Sequence, residues 1–82
     1  MNVQTRVLQS FKCIIDDIGL SSVWVTMHDL TNPSMPIEFA ELKLSKFNAV
    51  QRMGMQIGAV FYWDIVENIH NGRLHKRSVF RC

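Results

Sequence analysis

The chain is poor in several residue types, and each scarcity excludes a class of protein. Its 82 residues include only two cysteines, Cys13 and Cys82, whereas short secreted domains held by disulfides usually carry four or more. The longest nearly uncharged apolar run, residues 53–63, is much shorter than a bilayer span. The N-terminal residues lack the basic region and apolar stretch of a signal peptide. We therefore expect two free thiols and a cytoplasmic location.

The composition indicates one folded domain covering residues 1–82. Hydrophobic residues make up 48% of the chain and charged residues 20%, which is enough apolar material for one core. We find no repeat, low-complexity stretch or linker that would mark a domain boundary. The formal net charge of +2 is too small to identify a partner. The charge is unevenly placed, however, because four of the nine Lys and Arg residues lie between positions 73 and 81 and no Asp or Glu follows Glu67.

The last third of the chain predicts a β-hairpin. Two runs rich in β-branched and aromatic residues flank Asn71-Gly72. This dipeptide tolerates the positive φ angles of a tight hairpin turn. The first strand is strongly apolar, and the second carries most of the local positive charge. The hairpin is therefore expected to fill part of a core and to present basic side chains.

The first 18 residues allow two interpretations. Val3, Val7, Phe11, Ile14 and Ile18 recur at helical spacing. Phe11, Cys13 and Ile15 alternate as in a strand, and β-branched residues are frequent. We favour a strand from about residue 7 to residue 16, with a helix as the alternative.

The middle of the chain predicts two further strands and a helical turn. Residues 23–30 alternate, with Val23, Val25 and Met27 on one face and Trp24, Thr26 and His28 on the other. Residues 37–44 alternate again after two prolines, which cannot donate to a ladder. Spacings of three between positions 47, 50 and 53 predict one short helical turn around residues 46–53, with Ser45 as its cap and Gly54 at its end.

These elements predict an all-β fold. A chain of this length with five antiparallel strands cannot form two sizeable sheets. The economical arrangement is one strongly bent sheet closed into a small barrel of the OB or SH3-like kind, with one short helical turn. We expect this closure to remove exposed strand edges.

The strand sequences also resemble a group of small uncharacterised bacterial proteins. The shared features are an Asp29-Leu30-Thr31 after an early strand, a Gly58-x-x-Phe61-x-Trp63 strand and a terminal Ser78-Val-x-Arg81 pattern. The resemblance covers about residues 8–82. It implies a β-barrel of bacterial or phage origin and a possible extension beyond Cys82. It transfers no activity and no functional residue.

The residues that could carry catalysis or bind a metal do not form a recognisable set. A structural zinc site needs four converging ligands, usually in closely spaced pairs, and only His70 and His75 approach that spacing. Cys13 and His28 could form an activated thiol with Asp29, but Cys13 lies in an apolar run typical of a core position. We expect no metal, no cofactor, no small-molecule substrate and no enzymatic activity.

Asp64 is unusual because it is a charge between Trp63 and Ile65 in an aromatic strand. The turn at residues 71–72 brings the following strand alongside it. We expect a cross-strand ion pair with Lys76 or Arg77.

Binding to another molecule is the function that the sequence favours. Tyr62 faces away from Phe61 and Trp63 in a strand, and Trp24 shares a face with polar residues, so both rings are candidates for the surface. We predict a non-catalytic interaction module that binds a protein partner or a second copy of itself, as an accessory, regulatory or inhibitory subunit, without contacting a membrane. The alternative is a nucleic-acid-binding barrel that uses exposed rings and the basic hairpin. In both cases the predicted binding residues are Trp24, Tyr62, Arg73, His75, Lys76, Arg77 and Arg81.

Overall fold

The fold is all-β, as the sequence predicts. A computed structural model describes residues 4–81. The strands are β1 (Gln4–Ile18), β2 (Ser22–Asp29), β3 (Glu38–Lys43), β4 (Val60–His70) and β5 (Arg73–Arg81). Between β3 and β4 lie a 3-10 turn (Leu44–Lys46) and a short helix, α1 (Ala49–Met53). Within residues 4–81, no helix has the length and apolar character needed to cross a bilayer.

The five strands form one antiparallel sheet in the order β3-β2-β1-β4-β5. The sheet curls into a half-barrel, which confirms the predicted five-stranded, strongly bent sheet with one short helical turn. The predicted closure is not reached, because β3 and β5 do not pair with each other in the part of the chain that the structure describes. β3 and β5 are the outermost strands of this order, and no strand within the described residues pairs with their far sides. The sheet therefore has two open edges.

β1 is the central strand, so the helical alternative is wrong for residues 4–18. It pairs with β2 on one side and with β4 on the other. The register shifts between Val7 and Gln9 on the β4 side and between Ile15 and Asp17 on the β2 side. An extra residue at each place increases the local twist and bends the strand. Residues 1–3, which also entered the ambiguous pattern, lie outside the described residues.

The core lies on the concave side of the sheet and follows the alternation of the strands. Cys13, Ile15, Val23 and Val25 are essentially inaccessible to solvent, and Phe11, Met27, Leu42 and Phe61 are also buried. The predicted inward face of β2 is therefore confirmed, and Trp24, Thr26 and His28 lie on the outer side. Burying these apolar side chains is the main term that stabilises so small a domain.

The hairpin turn has the conformation that Asn71-Gly72 predicts. The φ angles of Asn71 and Gly72 are 53° and 74°, as expected when both central residues of a tight hairpin turn have positive φ. His70 lies opposite Arg73, and this register continues to Tyr62 opposite Arg81.

The helical segment is capped three residues later than predicted. The side chain of Asn48, rather than Ser45, accepts a hydrogen bond from the backbone N–H of Gln51 at 2.8 Å. The Gln51 side chain accepts one from the backbone N–H of Asn48, also at 2.8 Å, which completes a capping box. Helix α1 ends at Gly54, as predicted.

This segment covers one end of the half-barrel. The ring of Phe47 is buried, with its centroid 4.3 Å from that of Phe80 and 5.5 Å from that of Phe61. The Gln51 side-chain amide donates to the carbonyl oxygen of Phe80 at 2.9 Å. Because Phe80 belongs to β5, the segment that leaves β3 reaches across to the other edge strand.

Candidate functional site

The outer face of the sheet carries the side chains that the core does not use. The register places Thr26 of β2 between Ile14 of β1 and Phe39 of β3. One row further along, Lys12 of β1 lies between His28 of β2 and Tyr62 of β4. Since side chains alternate across a pleated strand, the even-numbered residues of β2 and β4 share this face. Both aromatic residues among the predicted binding residues, Trp24 and Tyr62, belong to it.

Trp24 is exposed, as the sequence predicts, and its ring is held against the backbone. It is 40% accessible to solvent and lies opposite Glu41 of β3. A Cβ atom at Gly19 would stand 2.9 Å from Cζ3 of the Trp24 indole. The absence of a side chain at Gly19 therefore lets the ring settle over the turn between β1 and β2.

Phe39 is a second exposed ring on the same face, and the sequence analysis missed it. Its side chain is 79% accessible, although it belongs to a strand. A signal is present in the sequence, because the alternation of residues 37–44 places Ala40 and Leu42 on one face of β3 and therefore Phe39 on the other. Phenylalanine is among the residues most often buried, so hydrophobicity alone predicts a core position for Phe39.

A shallow groove joins these two rings. It has a volume of about 340 Å³ and is lined by Asp16, Trp24, Val25, Phe39, Ala40 and Glu41. We call it the Trp24–Phe39 groove. It lies at the open β3 edge of the sheet and combines two aromatic rings with two carboxylates.

Tyr62 is half-buried, and an arginine covers its ring. The guanidinium carbon of Arg81 lies 4.7 Å from the centroid of the Tyr62 ring, within the distance of a cation–π contact. The same guanidinium donates two hydrogen bonds to the carboxylate of Asp64, at 2.6 and 3.3 Å. The Ser10 hydroxyl donates a third at 2.7 Å. Tyr62 is therefore less available for a ligand than Trp24.

The hydrogen bonds from Arg81 lower the pKa of Asp64, and the Ser10 hydroxyl acts in the same direction. The Asp64 carboxylate in turn raises the pKa of Arg81. The predicted pairing of Asp64 with Lys76 or Arg77 is wrong, because Asp64 lies opposite Val79. Arg81 lies two residues further along β5 and reaches back diagonally with its long side chain.

The predicted basic residues divide between two faces of β5. Arg73, His75 and Arg77 alternate onto the outer face and are exposed. We call these three the basic row. Lys76 alternates onto the other face, opposite Glu67. The Glu67 carboxylate forms its salt bridge with Arg6, at 2.8 Å. Arg81 is on the outer face but is paired with Asp64.

The residues considered for catalysis do not meet. Cys13 is fully buried and pairs in register with Met27, whereas His28 lies on the outer face opposite Lys12. Burial raises the pKa of the Cys13 thiol to about 12, so the nucleophilic thiolate is scarce at neutral pH. Within residues 4–81, no three His, Cys, Asp or Glu side chains are grouped as metal ligands. Cys82 lies outside the described residues.

The chain matches no protein-family model, no curated protein and no solved structure. No family membership and no activity can therefore be transferred to it. The resemblance to small bacterial proteins remains a prediction.

Proposed function

We propose that the protein is a non-catalytic interaction module that binds a protein partner through the outer face of β2 and β3. The observation that carries the proposal is the exposure of Trp24 and Phe39 in one groove beside the open β3 edge. Exposed apolar rings grouped on a small domain are typical of surfaces that a partner covers. Tryptophan in particular is enriched among the residues that dominate binding energy.

The edge strand supports the same function. An exposed edge presents backbone N–H and C=O groups to which another chain can add a strand. Here the edge strand itself carries Phe39, and its neighbour β2 carries Trp24. A partner can thus combine backbone hydrogen bonds with contacts to both rings. The partner would be another protein, for which this module acts as an accessory, regulatory or inhibitory subunit, or a second copy of this chain.

The location that accompanies this proposal is the cytoplasm. It rests on the sequence, which has two widely separated cysteines and no disulfide framework. A buried, reduced Cys13 in the core is compatible with that location.

Nucleic-acid binding is the alternative, and the basic row supports it. Arg73, His75 and Arg77 lie on one face of β5, a pattern that suits a phosphate backbone. Two features weaken it. Arg81 already neutralises Asp64, and Lys76 lies on the other face. The rings that could stack on bases, Trp24 and Phe39, lie at the opposite edge of the sheet from the basic row.

A quantitative capture experiment tests the protein-binding proposal. The tagged protein is incubated with extract of the organism that makes it, after nuclease treatment, and bound proteins are quantified by mass spectrometry. The double variant Trp24→Ser, Phe39→Ser should lose a specific partner by about tenfold or more, since hot-spot truncations have effects of that size.

The matched control is Leu74→Ser, which removes an apolar side chain of β5 whose exposure, 63%, lies between those of Trp24 and Phe39. It should retain the partner. Amide NMR spectra must show that all variants remain folded. If the partner persists on the double variant, or is lost from the Leu74 variant instead, the proposed face is wrong.

An amide NMR titration with single-stranded and duplex oligonucleotides tests the alternative. Binding through several phosphates should shift the amides of Tyr62 and residues 73–81 and should fade steeply as salt rises. A spectrum that does not change at low salt removes the nucleic-acid alternative.

A further inference from the structure

We propose that the Trp24–Phe39 groove binds an arginine side chain of the partner, presented by an extended segment that adds to the β3 edge. This inference rests on the proposed protein-binding function and specifies the chemistry of the partner. It follows from what lines the groove, from what the lining carboxylates do, and from a second arginine site within the same molecule.

The groove combines aromatic faces with negative charge. Trp24 lies opposite Glu41 on β3, and Asp16 of β1 and Phe39 of β3 also line the groove. Aromatic rings attract cations over their faces, and a carboxylate binds guanidinium through paired hydrogen bonds. A neutral apolar ligand would leave both carboxylates without a matching charge.

The two carboxylates are positioned but not neutralised. The Thr26 hydroxyl donates to Asp16 at 2.6 Å, and the Ser22 hydroxyl donates to Glu41 at 2.6 Å. Hydroxyl groups orient a carboxylate without contributing a positive charge. The salt bridges within residues 4–81 are those of Glu67 and Asp64, so neither groove carboxylate has a cationic partner among the described residues.

The molecule already binds one arginine in this manner. On the same outer face, the Arg81 guanidinium lies 4.7 Å from the Tyr62 ring centroid and 2.6 Å from an oxygen of Asp64. That site therefore consists of one ring and one carboxylate from the same strand. The Trp24–Phe39 groove offers the same groups twice, with no arginine of the described chain paired to its carboxylates. Arginine is favoured over lysine because its planar guanidinium can stack on a ring while it donates two hydrogen bonds.

The β3 edge explains how such a side chain would be delivered. A segment that pairs with β3 places alternate side chains on the outer face, in line with Phe39 and Glu41. An arginine at one of these alternate positions would reach the groove, and its neighbours in sequence would face the other side. The expected partner segment is thus extended, with arginine at an outward position between β-branched residues.

A peptide titration tests the inference. The probe is an acetylated, amidated hexapeptide, Thr-Val-Arg-Val-Thr-Val, and its matched control carries neutral, nearly isosteric citrulline in place of arginine. Binding is followed in ¹⁵N amide and indole spectra of the full chain, with the indole signal of Trp24 assigned from Trp24→Phe. The arginine peptide should shift the Trp24 indole and the β3 amides and bind about threefold to thirtyfold more tightly than the citrulline peptide.

Charge-neutral variants locate the site. Asp16→Asn and Glu41→Gln should each weaken the arginine peptide several-fold and leave the citrulline peptide unchanged. Glu38→Gln is the matched control, because Glu38 is on the same strand but borders a different pocket, with Gln9 and Met35. Its affinity for the arginine peptide should not change.

Three outcomes would overturn the inference: equal affinity for the two peptides, shifts centred on the basic row, or no shift of the Trp24 indole at millimolar arginine peptide. These outcomes are distinct from failure of the proposed function. If the capture experiment still shows a partner that depends on Trp24 and Phe39, the face binds a protein, and only the arginine assignment is wrong.

Discussion

The orientation of Trp24 depends on a residue with no side chain. Its indole lies over Gly19, in the turn that joins β1 to β2, where a Cβ atom would come within 2.9 Å of the ring. Carbon atoms in an unstrained structure do not approach each other to 2.9 Å. Either the ring or the turn must therefore move when a side chain is introduced at Gly19. Because the ring is partly exposed, turning it outward is the easier response.

We therefore expect Gly19→Ala to displace the Trp24 ring and to weaken partner binding without unfolding the protein. The Trp24 indole signal should shift strongly, and the midpoint of urea unfolding should change little. Gly54→Ala is the control, since the nearest atom to its new Cβ is 3.8 Å away. An unchanged indole signal in Gly19→Ala would show that the turn, rather than the ring, adapts.

Asp64 stabilises the hairpin through charge-assisted hydrogen bonds. Its side chain is largely buried by Arg81 and Ser10, and the residue is only 7% accessible. Replacing it by asparagine keeps the shape and removes the charge. We expect Asp64→Asn to lower the free energy of unfolding by about 1–3 kcal/mol at pH 7, as measured by urea denaturation.

The pH dependence of that difference has a definite sign. Because its hydrogen bonds with Arg81 lower the pKa of Asp64 in the folded protein, the unfolded state takes up the proton first as pH falls. The stabilisation is complete above the ordinary Asp pKa of about 4 and is lost below it. The difference in free energy of unfolding between the wild type and Asp64→Asn should therefore become smaller below about pH 4. A difference in free energy of unfolding that stays constant down to pH 2 would mean that the charge of Asp64 does not cause the stabilisation.

Cys13 should be chemically silent in the folded protein. It has no accessible surface, and burial raises its thiol pKa to about 12. In a Cys82→Ser background, we expect labelling by a thiol reagent at pH 8 to proceed only as fast as the protein unfolds. Adding urea should accelerate it in parallel with unfolding measured by circular dichroism. Rapid labelling in the native state would contradict the burial of this residue.

At the scale of elements, the β4–β5 hairpin depends on a turn that few residue pairs can form. Gly72 has a φ of 74°, where a side chain introduces strain. We expect Gly72→Ala to destabilise the protein by about 1–2 kcal/mol in thermal or urea unfolding. Asn71→Gly should be tolerated, because glycine adopts the φ of 53° at that position freely. Equal stability of Gly72→Ala and wild type would show that the turn can relax to another type.

The sequence predicts best the strands in which apolar and polar residues alternate with a single period of two. β2 and β3 alternate cleanly between buried and exposed positions, and Asn71-Gly72 requires a tight turn. β1 was ambiguous for a physical reason. β1 contains two bulges, one between Val7 and Gln9 and one between Ile15 and Asp17. The extra residue in each bulge shifts the side chains that follow to the opposite face, so the period of two is interrupted. Its pairing on both sides with other strands is a long-range property that local spacing does not contain.

The candidate site was only partly predictable. Trp24 could be placed outside because its face of β2 is otherwise polar. For Phe39 the two sequence signals disagree: its hydrophobicity predicts a core position, whereas the alternation of β3 predicts the outer face. The predicted partners of Asp64 are wrong because the turn at residues 71–72 places Val79 opposite Asp64, and Lys76 and Arg77 opposite Glu67 and Val66. The actual partner, Arg81, reaches Asp64 along a diagonal. The division of the basic residues between two faces also depends on that register.

At the scale of the whole molecule, the described residues form a curled sheet with two open edges of different character. Its principal extents are 42, 33 and 17 Å. The β5 edge carries arginine, lysine and histidine, the kind of charged edge that discourages strand addition. β3 is shorter and carries Glu38, Glu41 and Lys43, but it also exposes Phe39, and the neighbouring strand β2 exposes Trp24 on the same face. This asymmetry is why we assign partner binding to β3.

The most direct test of this assignment is site-specific photo-crosslinking in extract of the organism that makes the protein. A benzophenone amino acid replaces Phe39 in one sample and Leu74, an exposed residue of β5, in another. We expect position 39 to give a discrete, nuclease-resistant protein adduct on irradiation and position 74 to give none. An adduct from position 74 alone, or nucleic acid captured in place of protein, would contradict binding through β2 and β3.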